Sequence, residues 1–221
     1  RGRGHGIAYR RIYPARQMNT INTSVETPTL VVNMPSIPAD CRAFVLFGAT
    51  GDLARRMLWP SLYALDCDGL LPKTFQLIGA ATSQLTREQF AARIKDAILQ
   101  SANAALFDDA AFDAFIARVS YVTVDVQAPH GLEPIRATLS PALADEKRGI
   151  IFYLSTGPQL FGQICLALRD SGMVDQFSRV VIEKPIGADT ASANRTNEAI
   201  AAAFHEDQVF RIDHYLGKEA V

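Results

Sequence analysis

Five apolar residues, Ala43-Phe44-Val45-Leu46-Phe47, run without a polar break into Gly48-Ala49-Thr50-Gly51-Asp52-Leu53-Ala54. An unbroken apolar run suits a strand buried on both faces, as in the middle of a parallel sheet. Parallel neighbours cannot be joined by a hairpin; they need a crossover, usually a helix. The rest of the chain supplies that alternation. Strand patterns over Phe75–Gly79, Tyr121–Val124, Ile150–Leu154, Arg179–Ile182 and Gln208–Ile212 are separated by helical ones. The first helical stretch runs to about Asp68, with Leu53, Met57, Leu58, Leu62 and Leu65 on one side, and Gly69 and Pro72 end it. Thr86-Arg87-Glu88-Gln89 forms a capping-box pattern ahead of Phe90, Ile94, Ala97 and Ile98. Further helices are expected near Asp108–Arg118, over 131–147 with interruptions at Pro134 and Pro141, over Gln159–Asp170 and over Ala191–Phe204. Six strands with helical crossovers predict an α/β fold: a Rossmann-like, doubly wound parallel sheet with helices on both faces.

Composition narrows the function classes. The 221 residues are 48% hydrophobic and 20% charged, ordinary for a globular protein with a normal core. The formal charge of −1 conceals an asymmetry. Arg1, Arg3, Arg10, Arg11 and Arg16 face no acid before residue 18, leaving 17 basic against 23 acidic residues, a net −6, in the remainder. Such a body is a poor nucleic-acid binder, because that binding rests on neutralised phosphates. Cys41, Cys67 and Cys165 are odd in number and far apart, which argues against a disulfide framework or a metal site and fits the reducing cytoplasm. No apolar run approaches the ~18 residues of a membrane span. Residues 1–40 lack periodicity and hold four prolines, so a disordered N-terminal extension is expected there, with the folded unit over 41–221. Their Arg-rich, acid-poor composition raises a transit peptide, against which stand the absence of Ser before Ser24 and of an amphipathic stripe. With no initiator Met, and Met18 and Met34 further in, the chain reads as a fragment or a start placed too far upstream.

The glycine pattern carries the first chemistry. Gly48 allows a tight turn, Gly51 lets a pyrophosphate approach the backbone, and Ala54 lets the helix pack close to the sheet. The amides of Ala49, Thr50, Asp52 and Leu53 stand near the helix N-terminus, where anions bind. Strand, turn and helix in this order favour dinucleotide binding over a plain tight turn. After the second strand an acid would select NAD and an Arg would hold the 2′-phosphate of NADP. The chain has Gly79-Ala80-Ala81-Thr82-Ser83-Gln84, with neither, so the choice stays open at this point. Thr82 and Ser83 can bond either ribose, Arg87 lies near enough in sequence to reach a phosphate, and the hydroxyls alternatively serve only to start the helix at Thr86. Ser155-Thr156-Gly157-Pro158, after the fourth strand, is placed to cover a nicotinamide. Glu183-Lys184-Pro185 follows the fifth, where Pro185 restricts Lys184 to extended geometry and permits a cis bond. Substrate phosphate, a hydroxyl or Glu183 would each answer that ammonium.

Past the sixth strand, Asp213, His214, Tyr215 and Lys218 bunch a carboxylate, an imidazole, a phenol and an ammonium within six positions. A solvated turn leading into a helix is the plain alternative to a site. Taken with Phe47–Ala54 and Glu183-Lys184-Pro185, the stretch Asp213-His214-Tyr215-Leu216-Gly217-Lys218-Glu219 resembles the active-site signature of the glucose-6-phosphate dehydrogenase family, in the same order and approximate spacing over residues 43–221. The resemblance implies oxidation of the C1 hydroxyl of glucose 6-phosphate to a lactone with NADP as acceptor, the first oxidative step of the pentose phosphate pathway. It implies that His214, Tyr215 and Lys218 grip the sugar phosphate, that Lys184 bridges substrate and cofactor, and that Asp213 orients a catalytic histidine. It implies no metal, a homo-oligomer for the full-length protein, and a C-terminal α+β domain that this chain lacks.

Three departures matter. The histidines are His5, His130, His205 and His214, so none stands where the family places its base. Thr82 occupies the position of a customary Arg, which leaves NAD or dual use open. Met57 replaces a common Lys, beside Arg55 and Arg56. Two other readings follow: a different NAD(P)-dependent sugar oxidoreductase, or a dinucleotide-binding module without catalysis. The chain by itself is expected to be inactive.

Overall fold

In the computed structural model, residues 41–144 and 149–213 are described. Their strands form a six-stranded parallel sheet in the order β3-β2-β1-β4-β5-β6. These are β1 (Cys41–Phe47), β2 (Gln76–Ala81), β3 (Val119–Thr123), β4 (Gly149–Leu154), β5 (Arg179–Glu183) and β6 (Val209–Ile212). Between them lie α1 (Trp59–Cys67), α2 (Arg87–Leu99), α3 (Asp109–Ile116), α4 (Glu133–Leu143), α5 (Phe161–Asp170) and α6 (Thr190–Ala201).

β1 shows why the sheet is double-sided. Ala43, Val45 and Phe47 point into one apolar cluster, with Ile135 and Leu139 of α4 and Ile164 and Leu168 of α5. Phe44 and Leu46 face the other, with Trp59 and Tyr63 of α1, Phe90 and Ile94 of α2 and Phe115 of α3. Alternate side chains of one strand thus feed two cores, which requires apolar residues at both parities. The first half of the chain covers one face and the second half the other. The order of strands reverses between β1 and β4, and at such a switch point the loops diverge and leave a crevice beyond the strand tips.

The helices follow their sequence signals except at two places. Thr86 caps α2 as expected: its Oγ1 accepts from the Gln89 amide at 3.2 Å, and Gln89 Oε1 accepts from the Thr86 amide at 2.9 Å. Ahead of α1, however, Ala54–Leu58 is π-helical, with the Trp59 amide bonded to the Ala54 carbonyl. The wider turn shifts the buried face by a residue. Met57, placed by periodicity among the inward residues, is 56% exposed, and Trp59 and Tyr63 take the interior. Over 131–147 the expected interruptions do not occur between Glu133 and Leu143. Pro134 sits in the first turn, where no donor is lost, and Pro141 falls two residues before the end, where one missing bond is tolerated.

Burial sets the pH response. The Cys165 thiol is fully buried in the α4–α5 core, and that burial pushes it up to about 12. Burial also raises the Tyr153 phenol, helped by its hydrogen bond to Glu183. Both groups must stay neutral in the folded state, so their contribution is complete below the ordinary thiol and phenol values and is lost as pH rises through the raised ones. Urea midpoints are expected to fall as pH climbs from about 9 toward 12. Constant midpoints across that window would show that these groups do not couple to folding.

Candidate functional site

The turn after β1 is built around one glycine. Gly48 has φ +74°, and a Cβ on it would lie 2.1 Å from the Ser155 carbonyl oxygen. The tip of β1 and the loop after β4 therefore touch backbone to backbone, joined by the Ser155 amide donating to the Phe47 carbonyl at 3.0 Å. The Gly48 and Ala49 amides both donate to the Ala80 carbonyl, at 2.9 and 3.2 Å, which ties the turn to the tip of β2. The buried Trp59 indole N–H donates to the Ala49 carbonyl at 3.0 Å and holds the turn from beneath. The Gly51 amide closes the turn on the Gly48 carbonyl at 2.9 Å, and the helical ladder starts with Arg55 N–H on the Gly51 carbonyl at 3.0 Å. The amides of Asp52 and Leu53 precede that ladder, at the positive end of the helix. Asp52 accepts from Arg55 at 3.0 Å and Arg56 at 2.9 Å, and the Arg55 hydrogen bond leads in holding its carboxyl below the usual range.

The loop after β2 is fixed in turn. Thr50 Oγ1 and Ser83 Oγ are 3.2 Å apart, and the Ser83 carbonyl accepts from the Tyr121 hydroxyl at 2.5 Å and from Thr123 Oγ1 at 3.2 Å. Between these loops lies a crevice of about 360 Å³, with Gly48, Thr50, Gly51, Thr82 and Thr156 on its polar side and Phe47, Val124 and Leu160 among its apolar walls. Thr156 Oγ1 is buried with no hydrogen-bond partner among the described residues. Amides ahead of a helix for an anion, hydroxyls for ribose and apolar walls for flat rings together fit a dinucleotide.

A second group forms at the tips of β5 and β6. Glu183 pairs in register with Ile212, so Lys184 and Asp213 are the first residues past two adjacent parallel strands. The Lys184 amide donates to the Ile212 carbonyl and its Nζ to Asp213 Oδ2, both at 3.1 Å. The Lys184–Pro185 bond is cis. Lys184 is about half exposed and Asp213 mostly covered, on a concavity of about 650 Å³ with Pro185, Gly187 and Thr190. Of the partners weighed for Lys184, Glu183 is engaged elsewhere: its Oε1 accepts from the Tyr153 hydroxyl at 2.5 Å.

Other expected residues are placed as follows. Ser155 is not on the crevice wall: its backbone braces the Gly48 turn, and the residue of that loop on the wall is Thr156. Arg87 does not face the crevice; its guanidinium donates to the Ile116 carbonyl at 3.0 Å, at the C-terminal end of α3, where exposed carbonyls attract a cation. His214, Tyr215 and Lys218 lie outside the described residues. Sequence reasoning passed over Tyr153 and Trp59, and in the loop after β4 it singled out Ser155 rather than Thr156. Tyr153 was hidden inside an apolar strand run, and only its phenol at the end of that run marks it. Trp59 was visible as a residue, and its partner, the Ala49 carbonyl, was not.

Known proteins place this geometry. The family model for "glucose-6-phosphate dehydrogenase, NAD binding domain" matches residues 45–221. The chain is 42% identical over 191 residues to the glucose-6-phosphate 1-dehydrogenase of Mycolicibacterium smegmatis, covering 86% of this chain and 39% of that protein. It is 37% identical over 185 residues to that of Rhizobium meliloti, covering 84% and 37%. A glucose-6-phosphate dehydrogenase solved in complex with its substrate glucose 6-phosphate superposes with a TM-score of 0.71 at 34% identity, over 81% of this chain and 37% of that one. The enzyme from Mycobacterium avium gives 0.70 at 34%, over 79% and 36%. The chain thus spans less than two fifths of the length of these relatives. With a Gly48 turn at the switch point of the sheet and Lys184 and Asp213 at neighbouring strand tips, it belongs to the glucose-6-phosphate dehydrogenase family.

Proposed function

We propose that this chain is the coenzyme-binding part of a cytoplasmic glucose-6-phosphate 1-dehydrogenase, which converts D-glucose 6-phosphate and NADP to 6-phospho-glucono-1,5-lactone and NADPH. The observation that carries this reading is the Lys184–Asp213 pair, 3.1 Å apart at adjacent strand tips of the sheet that also forms the dinucleotide crevice. When bound, the nicotinamide supplies the hydride acceptor. The chain's own residues supply position and charge. Gly48, Gly51 and the amides of Asp52 and Leu53 receive the pyrophosphate. Thr50, Thr82 and Ser83 stand by the adenosine ribose, and Ala49 carries the carbonyl that Trp59 anchors. Lys184 spends one N–H on Asp213 and keeps two for substrate oxygens. His214, Tyr215 and Lys218 complete the grip on the sugar phosphate in this reading.

Loss of hydride from C1 requires a base for the hydroxyl proton. Asp213 is the carboxylate that orients and stabilises a histidine in that role, and the histidine comes from the longer protein. Accordingly, the chain alone binds dinucleotide and turns nothing over. The test is a steady-state assay of the full-length protein. Reduction of NADP or NAD is expected with glucose 6-phosphate and at least about a hundredfold less efficiently with glucose, since the lost phosphate contacts are charge-assisted. Equal efficiency with both sugars would overturn the substrate assignment.

A further inference from the structure

Resting on the dinucleotide reading above, we propose that Arg93, seconded by Arg55, holds the 2′-phosphate of NADP and replaces the arginine that the β2 tip lacks. Thr82 stands at that tip, exposed and on the crevice wall, and brings no charge. Thr50 lines the crevice on one side, and on the other lines a small hollow shared with Arg55, Arg93 and Phe90. The hollow therefore opens beside the place where the adenosine ribose meets the β2 tip, on the side covered by α2.

The charge there is unbalanced. Arg55 and Arg56 share a single carboxylate, Asp52, through the same oxygen, at 3.0 and 2.9 Å. Arg93 is exposed and has no hydrogen bond or ion pair among the described residues; Asp96, one turn along α2, does not pair with it. Two guanidinium groups, Arg55 and Arg93, line the hollow, and no carboxylate does. An exposed guanidinium without a carboxylate, on a rigid helix beside an anion-receptive turn, is suited to a phosphate. The neighbourhood is also held in place. Phe90 packs on Tyr121 at 4.4 Å between ring centroids, and Tyr121 donates to the Ser83 carbonyl at 2.5 Å. Burial raises the Tyr121 phenol and the charge of Arg93 offsets part of that rise, which puts the guanidinium within electrostatic reach of the ring that anchors the Ser83 loop. Ser83 Oγ, 3.2 Å from Thr50 Oγ1, adds a hydroxyl at the junction.

The experiment is calorimetric titration of the purified chain with NADP and with NAD, comparing wild type with Arg93→Gln and Arg93→Lys. Wild type is expected to prefer NADP, and the preference to shrink as salt is raised. Arg93→Gln, at an exposed helical position, is expected to weaken NADP by about tenfold or more and to leave NAD unchanged, with Arg93→Lys in between. Equal losses for both coenzymes, or none for NADP, would overturn the proposal. So would a wild-type chain that binds NADP and NAD alike, a result that leaves dinucleotide binding itself standing. A folded chain that binds neither would remove the dinucleotide reading and this proposal together.

Discussion

Gly48→Ala is expected to cost about 3 kcal/mol or more of folding free energy and to abolish measurable coenzyme binding. Two effects add. A non-glycine residue at φ +74° is strained by about 1–2 kcal/mol. The new methyl also lies 2.1 Å from the Ser155 carbonyl oxygen and 2.8 Å from its carbon, so the backbone of the β4 loop has to move, an overpacking cost of about 1–3 kcal/mol. Gly69 separates the two. Its φ is +70°, nearly the same, and an added Cβ there meets nothing within 4 Å. Gly69→Ala therefore carries the strain alone, partly offset by the stiffer unfolded chain, for a net of about 1 kcal/mol. Urea denaturation of the two variants side by side gives the comparison. Equal costs would show that the contact between the β1 turn and the β4 loop yields freely, and the crevice would lose its claim to being preformed. The binding loss has the same origin, because moving the Ser155 loop displaces Thr156 and one wall of the crevice.

Asp213→Asn in the full-length protein is expected to lower turnover by about 10²–10⁴-fold with little change in coenzyme affinity. The amide keeps the shape of the carboxylate and can still accept from Lys184 through its oxygen, so the Lys184 contact survives in form. What disappears is the negative charge that, in the proposed mechanism, stabilises a protonated histidine. A group mostly covered from solvent and held at the tip of β6 exerts that charge in a medium less screening than water. Unimpaired turnover would sink the role given to Asp213. A loss confined to coenzyme affinity would relocate the residue to the dinucleotide side of the site.

The fold was legible because its signals are redundant. β1 is apolar at both parities, the Thr86–Gln89 box is local in sequence, and each crossover is bounded by Gly, Pro or a cap. The misplacement of Met57 has one cause: a period of 3.6 residues was assumed where five residues bond one step wider. Pro141 misled because its position relative to the helix end, not its presence, sets its effect. The site was half legible. Residues whose part lies in the local turn geometry, such as Gly48 and Gly51, could be read directly. Partnerships across strands could not. Lys184 and Asp213 are 29 positions apart, and their contact depends on the β5–β6 register. Arg87 is only four positions from Ser83 in sequence and yet points to the end of α3, while Arg93, two turns further on, reaches the hollow beside Thr50. Tyr153 read as core because a phenol at a strand end differs from phenylalanine only by the atom that meets Glu183.

The central claim, that the Gly48 crevice binds a nicotinamide dinucleotide, is open to one direct measurement. Trp59 is the sole tryptophan of the chain, and its indole donates to the Ala49 carbonyl of the turn itself. Emission from Trp59 should be quenched in a saturable, one-to-one manner as NADPH is added, and the quenching should vanish in Gly48→Ala. A folded chain whose Trp59 emission shows no saturable response to NADPH or NADH would contradict the account.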